Sequence, residues 1–231
     1  MANTLNLGNG NWATKEDSLL AYNSENGNFK PLPFDFTRAS SATVVNKDGL
    51  IETVGSGEPR IDFSNDAKGA LLLEPQSTNL VTYSEDFSNA AWTGGGITIS
   101  GGYLAPDGSD NAYKVSSSGG VFNGDFGLIE STTRSIYART VSGAGKISLL
   151  SYFGNSNNLF DITEEWQRFE VSTSISTGSN SFYAVDFRSS SATLSEVIIW
   201  GANATNDQSY ATSYIPTQGQ SGGVTRVADV S

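Results

Sequence analysis

From residue 79 onward, apolar positions recur in short runs that alternate with polar ones or form brief continuous stretches: "NLVTYS", "ITIS", "GYLAP", "NAYKVSS", "RSIYART", "KISLLSYF", "QRFEVSTSI", "SFYAVDF" and "EVIIWGA". Alternation with period two marks half-buried strands, and a continuous apolar run such as "VII" marks a strand covered on both faces. Gly, Ser, Asn and Asp clusters separate the runs, and no helical period intervenes for long enough to build parallel crossovers, so the strands are expected to be antiparallel. Their spacing predicts two packed sheets.

The first third reads differently. Residues 1–30 are rich in Asn and Gly, and "TKEDSLLAY" (14–22) is a short helical candidate, with Thr14 as its cap and Asp17 three positions later. In residues 34–63, "ATVV", "NKDG" and "LIETV" read as strand, turn and strand. "ALLLEP" follows as a buried strand closed by Pro75. These features divide the chain into an accessory segment with a hairpin (1–75), a sandwich module (76–217) and a C-terminal tail or the start of a further domain (218–231). The expected fold class is all-β, an antiparallel β-sandwich with a smaller β-rich segment in front.

Composition narrows the chemistry. The 231 residues include 25 glycines, no cysteine and no histidine, and the formal charge is −11. Disulfides, thiol catalysis, imidazole bases and the commonest transition-metal ligands are excluded. The negative field repels a phosphate backbone, so nucleic acid is not an expected partner. No run reaches the about 18 apolar residues of a membrane helix, and the start lacks the pattern of a secretory signal, so membrane insertion is not expected and synthesis in the cytosol is. Sugar recognition survives these exclusions. It needs a flat aromatic for the CH face of the ring, and carboxylates, amides or Arg for the hydroxyl rim.

The ordered set "TNLVTYSEDFSNAAW", "APDGSDNAYKV", "RSIYART", "EEWQRFEV", "IIWGAN" and "ATSYIPT" resembles the jelly-roll carbohydrate-binding-module domains of bacteriophage tail and other virion surface proteins. The preceding "FTRASSATVVNKDGLIETVGSGEPRIDF" is similar to the segment that commonly stands before such a module. The resemblance spans about residues 34–217. It implies a jelly roll, a polysaccharide or cell-surface glycan as partner, a place in the virion and, in the full-length protein, a homo-oligomer. Ending in "TRVADVS", where relatives continue into further domains, suggests a piece of a longer polypeptide. Asn203, Ala204 and Thr205 depart from the Gln-Leu-Glu that the family commonly has after Trp-Gly-Ala. Asn203 also opens a glycosylation sequon, discounted for want of a secretory route.

Candidate carbohydrate-binding residues follow from the pattern. Trp92, beside three glycines, either plugs one end of the sandwich or stands exposed as a platform. Alternation puts Tyr137 with Arg139 on one face, and Asp186 and Arg188 with Phe182 on another, opposite Tyr183, Val185 and Phe187. On one concave sheet these four polar side chains would form a glycan floor; the plain alternative is a solvated face with a cross-strand ion pair. Phe122, Asn123 and Asp125 are read as a loop around an Asn-Gly turn. Tyr152 and Asn155 precede an amide-rich loop. Trp200, ending the last strand, is read as closing the core, and Trp166 as a packing residue at a strand entrance. Glu85, Asp86, Asp107 and Asp110 are candidate oxygen ligands for a structural Ca²⁺, with solvated turns as the alternative.

Three functions remain open: a non-catalytic glycan-binding module, a structural oligomerising virion part, and a polysaccharide depolymerase. The last needs two carboxylates, and Glu164 and Glu165, adjacent on one strand entrance, would point apart.

Overall fold

The computed structural model describes residues 3–5, 12–15, 18–23, 27–31, 35–128, 131–151, 158–174 and 181–231. Among them there is no helix, and the chain forms two compact units. The first comprises Met1–Ser77 with Thr212–Ile215 and Thr225–Ser231; the second comprises Thr78–Ala211 with Pro216–Val224.

The first unit holds β1 (Asn3–Leu5), β2 (Trp12–Lys15), β3 (Ser18–Asn23), β4 (Asn28–Pro31), β5 (Ala42–Val45), β6 (Ile51–Val54), β7 (Ile61–Asp62) and β8 (Ala70–Leu73). They pair antiparallel as β1-β8-β7, β2-β3-β4 and β5-β6. The helix expected over 14–22 is therefore a pair of strands, with Thr14 opposite Leu19 and Ala13 opposite Leu20. A nine-residue segment is too short to sustain a helix on propensity alone, and cross-strand pairing supplies what local hydrogen bonds would not.

Phe36, Val44, Ile51, Leu71, Leu72 and Ile215 are buried in this unit, and a cluster of buried charges lies in it as well. Arg60 Nη1 lies 2.8 Å from Glu74 Oε2, and its Nη2 pairs with Asp229. Arg226 meets the same Glu74 oxygen at 2.5 Å, and Arg38 meets Asp229 at 3.0 Å. Ser213 donates both its amide and its hydroxyl to Glu74. These charges are sealed from solvent, so each depends on its partners for what water would otherwise supply. Burial alone would raise the pKa of Glu74, but Arg226, Arg60 and Ser213 outweigh it and hold the carboxyl below its ordinary value.

Strands β9 (Ser77–Asn79) and β20 (Val224–Arg226) cross the sequence boundaries of the units. The second unit holds β10 (Trp92–Thr93), β11 (Thr98–Tyr103), β12 (Ala112–Ser116), β13 (Val121–Asp125), β14 (Ser131–Arg139), β15 (Gly145–Ser151), β16 (Leu159–Ile162), β17 (Gln167–Ser174), β18 (Ser181–Asp186) and β19 (Glu196–Thr205). They form two five-stranded antiparallel sheets, β10-β13-β18-β15-β16 and β11-β12-β19-β14-β17. The last two strands insert between earlier ones, β18 between β13 and β15 and β19 between β12 and β14, which is the wrapping of a jelly roll. The all-β antiparallel sandwich is thus the fold. "VFNGD", read as a loop, is the paired strand β13; "LFDI" adds β16; and of "NLVTYS" only Asn79 lies in a strand.

Two register shifts set which side chains enter the core. On β19, Tyr137 faces Trp200 while Ser135 faces Asn203, so Gly201 and Ala202 together oppose Ile136. Gly201 takes the extra position at φ 64°, a conformation that glycine adopts without a Cβ clash. The phase reverses there. Val197 and Ile199 join the core before the shift, Ala202 and Ala204 after it, and Ile198 and Trp200 are not part of that cluster. On β18, Phe122 pairs with Val185 but Asn123 with Tyr183, which leaves Ala184 extra. Phe182, Ala184, Val185 and Phe187 consequently all enter the core. Opposite Ala184, Leu150 has a positive φ of 58°, and it is buried together with Leu149.

Candidate functional site

The second unit carries a cavity of about 330 Å³ lined by Tyr83, Glu85, Asp86, Asn111, Tyr113, Thr217 and Gln218. Its position begins with Asn79, which is fully buried. The Asn79 side-chain amide donates to the Ala202 carbonyl at 3.1 Å, and its Oδ1 accepts from Val81 N at 3.1 Å and Ala204 N at 3.0 Å. Leu80 N donates to Ala204 O and Ala202 N to Ser84 O, so residues 79–84 run beside the end of β19 beyond its kink. This delivers Tyr83, Glu85 and Asp86 to one wall.

The opposite wall is the start of β12, where Asn111 and Tyr113 project, and the segment at Thr217 closes the site. Thr217 donates its amide to Ser84 Oγ at 2.8 Å and its hydroxyl to Val81 O at 2.5 Å. Gln218 bridges Tyr83, and Gly219 N donates to Thr82 O at 2.6 Å. Gly219 has φ 89°, and a Cβ there would stand 2.7 Å from the Tyr83 hydroxyl, so the close approach requires glycine.

Tryptophans brace the cleft from behind. Trp92 is buried, with its ring stacked on Phe122 (5.4 Å between centroids, 22° between planes) and flanked by Phe87, Phe126 and Phe182. Its indole N–H donates to the Tyr83 carbonyl at 2.8 Å. Trp200, 1% exposed, donates its indole N–H to Asn111 Oδ1 at 2.7 Å, and Asn111 Nδ2 donates to Glu85 Oε2 at 2.9 Å. An indole only donates and an ionised carboxylate only accepts, so this chain fixes which way the Asn111 amide points. Asp86 Oδ1 accepts from the Ser88 amide at 3.1 Å, the Ser88 hydroxyl at 2.6 Å and the Tyr113 hydroxyl at 3.3 Å. Among the described residues, no Lys or Arg lines the cavity.

Several expected site residues fall elsewhere. Trp92 and Phe122 belong to the core and offer no open stacking face: Phe87, Phe126 and Phe182 pack on Trp92, which itself stacks on Phe122, and Phe87 packs on Phe122. Asn123 and Asp125 lie on β13; Asn123 accepts from the Thr93 hydroxyl at 3.4 Å, and Asp125 is exposed. Tyr152 and Asn155 lie outside the described residues. The single floor of Tyr137, Arg139, Asp186 and Arg188 does not form, because β14 and β18 belong to different sheets. Asp186 is buried and held bidentately by Arg188, at 2.9 and 2.7 Å. Simple alternation misplaced it with Phe182, since the extra residue Ala184 reverses the phase between them.

Tyr137 and Arg139 do share a face, with neighbours that alternation alone did not reveal. The Arg139 guanidinium stands 5.3 Å over the Trp166 ring, and that of Arg168 stands 5.5 Å over Tyr137. Trp166, expected in the core, is half-buried, and its indole donates to Leu104 O at 3.2 Å. The four candidate calcium ligands are not gathered. Glu85 and Asp86 line the cleft, Asp107 accepts from the amide and hydroxyl of Ser109 in its own turn, and Asp110 is exposed. Among the described residues, no group of three or more acidic side chains is placed to share an ion.

Sequence reasoning missed five of the cleft residues: Tyr83, Asn111 and Tyr113 sit in the quoted runs "NLVTYS" and "NAYKVSS", Thr217 ends "ATSYIPT", and Gln218 follows it. Only the pairing of residues 79–84 with β19 brings the two runs together. The chain is thus a jelly-roll module with an aromatic, acid-lined cleft at the end of its central strand.

No protein-family model and no curated protein matches the sequence. Among solved structures, the chain is similar to the CBM22-1 and GH10 modules of endo-1,4-β-D-xylanase 10B from Clostridium thermocellum, complexed with xylohexaose, at 14% identity over 57% of this chain and 28% of that one (TM-score 0.41). It is also similar to a family 11 carbohydrate-binding module from Clostridium thermocellum in complex with a β-1,3-1,4-mixed-linked tetrasaccharide (9% identity, 64% and 99% covered, TM-score 0.35). A third similar structure is the enzymatically active domain of tailspike protein 4 of bacteriophage CBA120 (13% identity, 55% and 21% covered, TM-score 0.35). The chain thus spans less than a third of the xylanase chain.

Proposed function

We propose that the second unit is a non-catalytic carbohydrate-binding module of a phage virion or tail protein, and that a polysaccharide residue sits in the cleft. The observation that carries this reading is the cleft itself. Tyr83 and Tyr113 supply rings for the CH face of a sugar, while Glu85, Asp86, Asn111 and Gln218 supply hydrogen-bonding groups for its rim. The volume suits one or two sugar rings, at the lower end of small-ligand sites. Asn111 already satisfies one oxygen of Glu85, and Ser88 and Tyr113 converge on one oxygen of Asp86, an arrangement that orients acceptors rather than freeing an acid and a base. The sequence resemblance supports the virion setting, where several copies of a modest site would act together.

The test is affinity gel electrophoresis over a polysaccharide panel, with reducing-end release assayed in the same tubes. Retardation without release, lost in Tyr113→Ala, is the expected result. Release of reducing ends would favour a depolymerase, and no retardation on any glycan would favour a structural virion part.

A further inference from the structure

We infer that Thr225–Ser231 is a separable strap, held by the first unit through a preorganised peptide site that reads an Arg and an Asp three residues apart on an extended chain. Strap and site lie wholly within the first unit. The inference is independent of the carbohydrate-binding reading of the cleft.

The anchors of the site lie outside the strap. Arg38 donates its Nε to Ser40 O at 2.8 Å and its Nη2 to Gly55 O at 2.6 Å. Arg60 Nη1 donates to Thr43 O at 3.1 Å, to Glu74 Oε2 at 2.8 Å and to Ser213 Oγ at 2.8 Å. Glu74 in turn accepts from the amide and hydroxyl of Ser213. Two guanidiniums and a carboxylate are therefore held in place by their own unit, which lowers the cost of ordering them around a peptide.

Each charge of the strap meets its opposite in that frame. Asp229 takes Arg38 Nη1 on one oxygen at 3.0 Å, and on the other it takes Arg60 Nη2 and the Glu74 amide. Arg38 and Arg60 repel each other, and Asp229 relieves this; Glu58 attracts Arg38 as well, more weakly. Arg226 donates to Glu74 Oε2 at 2.5 Å, to Ser213 Oγ at 2.8 Å and to Pro75 O. Backbone bonds fix the register between and beyond the two charges. Val227 N donates to Ser40 Oγ at 3.0 Å, Asp229 N to Glu74 O at 2.9 Å, and Thr37 and Val230 exchange bonds at 2.8 and 2.9 Å. A strap laid in the opposite direction would set Asp against Glu74 and Arg against Arg38.

The attachment is polar. Arg226 and the Asp229 carboxylate are sealed from solvent, whereas Val230 is 59% exposed and Val227 and Ala228 are only part-buried. No residue of the strap belongs to the apolar core of the sandwich. Release therefore breaks directed bonds in the first unit and opens no cavity in that core. Chain order adds a consequence: Arg38, Arg60 and Glu74 precede the sandwich, while Ser213, Arg226 and Asp229 follow most of it, so the first unit is completed last.

The experiment uses the whole chain with a protease-cleavage sequence placed between Gln220 and Ser221, in the exposed stretch 218–222, and cut after folding. Native mass spectrometry reports whether the fragment stays, and a fluorescent synthetic peptide of Thr225–Ser231 reports exchange. Peptides carrying Arg226→Gln or Asp229→Asn test the reading of charge, with the folded chain identical in every arm. The expected result is a fragment retained after the cut, replaced by excess native peptide, with each variant peptide binding at least about tenfold more weakly. Hydrogen-exchange protection should fall over residues 35–45 and 70–75 while the site is empty, and hold over 196–205. Variant peptides that bind as well as the native one would overturn the reading of Arg226 and Asp229. A fragment that no excess of peptide displaces, or protection lost over 196–205 together with 35–45, would overturn separability. A fragment that departs without being replaced, while residues 35–45 keep their protection, would overturn the site itself.

Discussion

The indole N–H of Trp200 and the side-chain oxygen of Asn111 meet at 2.7 Å, which ties a fully buried tryptophan to the rim of the cleft. Trp92 acts in parallel through the Tyr83 carbonyl. Neither ring is open to a ligand, yet both set the position of groups that are. The bond makes Trp200 testable apart from its bulk. Trp200→Phe keeps an aromatic in the site but strands the Asn111 oxygen, and should lower stability by about 1–3 kcal/mol. Glycan retention should weaken further than in a variant of equal stability elsewhere in the core, as read by affinity electrophoresis beside thermal melts.

Asn79 makes three hydrogen bonds to backbone groups that flank the kink of β19. Asn79→Ala would leave buried amides and a carbonyl without their partner, and is expected to reduce unfolding free energy by about 2–3 kcal/mol in denaturant titrations. Because this residue also delivers residues 80–86 to the cleft, glycan retention should fall with it.

At Gly201 the positive φ carries the reversal of phase on β19. Gly201→Val would force a β-branched side chain into that conformation, at a cost of about 1–3 kcal/mol. The measurement is the urea midpoint, with an unchanged m-value showing that the denatured state is unaffected.

In the first unit, Glu74 bridges Arg60 and Arg226 out of reach of water. Its pKa in the folded state is depressed, so its contribution is complete above the unfolded value of about 4.3 and disappears as pH falls through the lower folded value. Hydrogen-exchange protection factors, corrected for the intrinsic rate at each pH, should therefore fall below about pH 4 in peptides covering residues 38–45 and 70–75. Glu74→Gln removes the charge that two buried guanidiniums share, and should destabilise this unit by about 3–5 kcal/mol at neutral pH.

Arg139 over Trp166 and Arg168 over Tyr137 form a second aromatic and cationic surface. If the cleft is the glycan site, Arg139→Ala should leave retention within about twofold and cost no more than about 1 kcal/mol of stability. Equal loss in Arg139→Ala and Tyr113→Ala would extend the binding surface onto this sheet.

Period-two runs and the glycine-rich turns between them were sufficient to announce an antiparallel sandwich, because a strand's two faces are written into neighbouring residues. The burial of Trp200 could be read the same way, from the apolar run that precedes it. What a local pattern could not carry was the reversal of phase at Gly201 and Ala184, since an extra residue is extra only relative to a partner strand. Asp186 was placed beside Phe182 for that reason, and Trp92 remained undecided because its covering rings, Phe122, Phe126 and Phe182, are remote in sequence. The helix expected over 14–22 failed on the same ground, with Leu19 and Leu20 answering to β2 rather than to a helical period.

The sequence by itself determined the all-β class, the absence of thiol and imidazole side chains, and a net negative charge, because each depends on residue identity or on spacing within one strand. The tertiary structure decided which side chains share a site. Tyr83 and Glu85 meet Asn111 and Tyr113 only because Asn79 locks one segment along the kinked end of β19, a long-range pairing that no local period encodes.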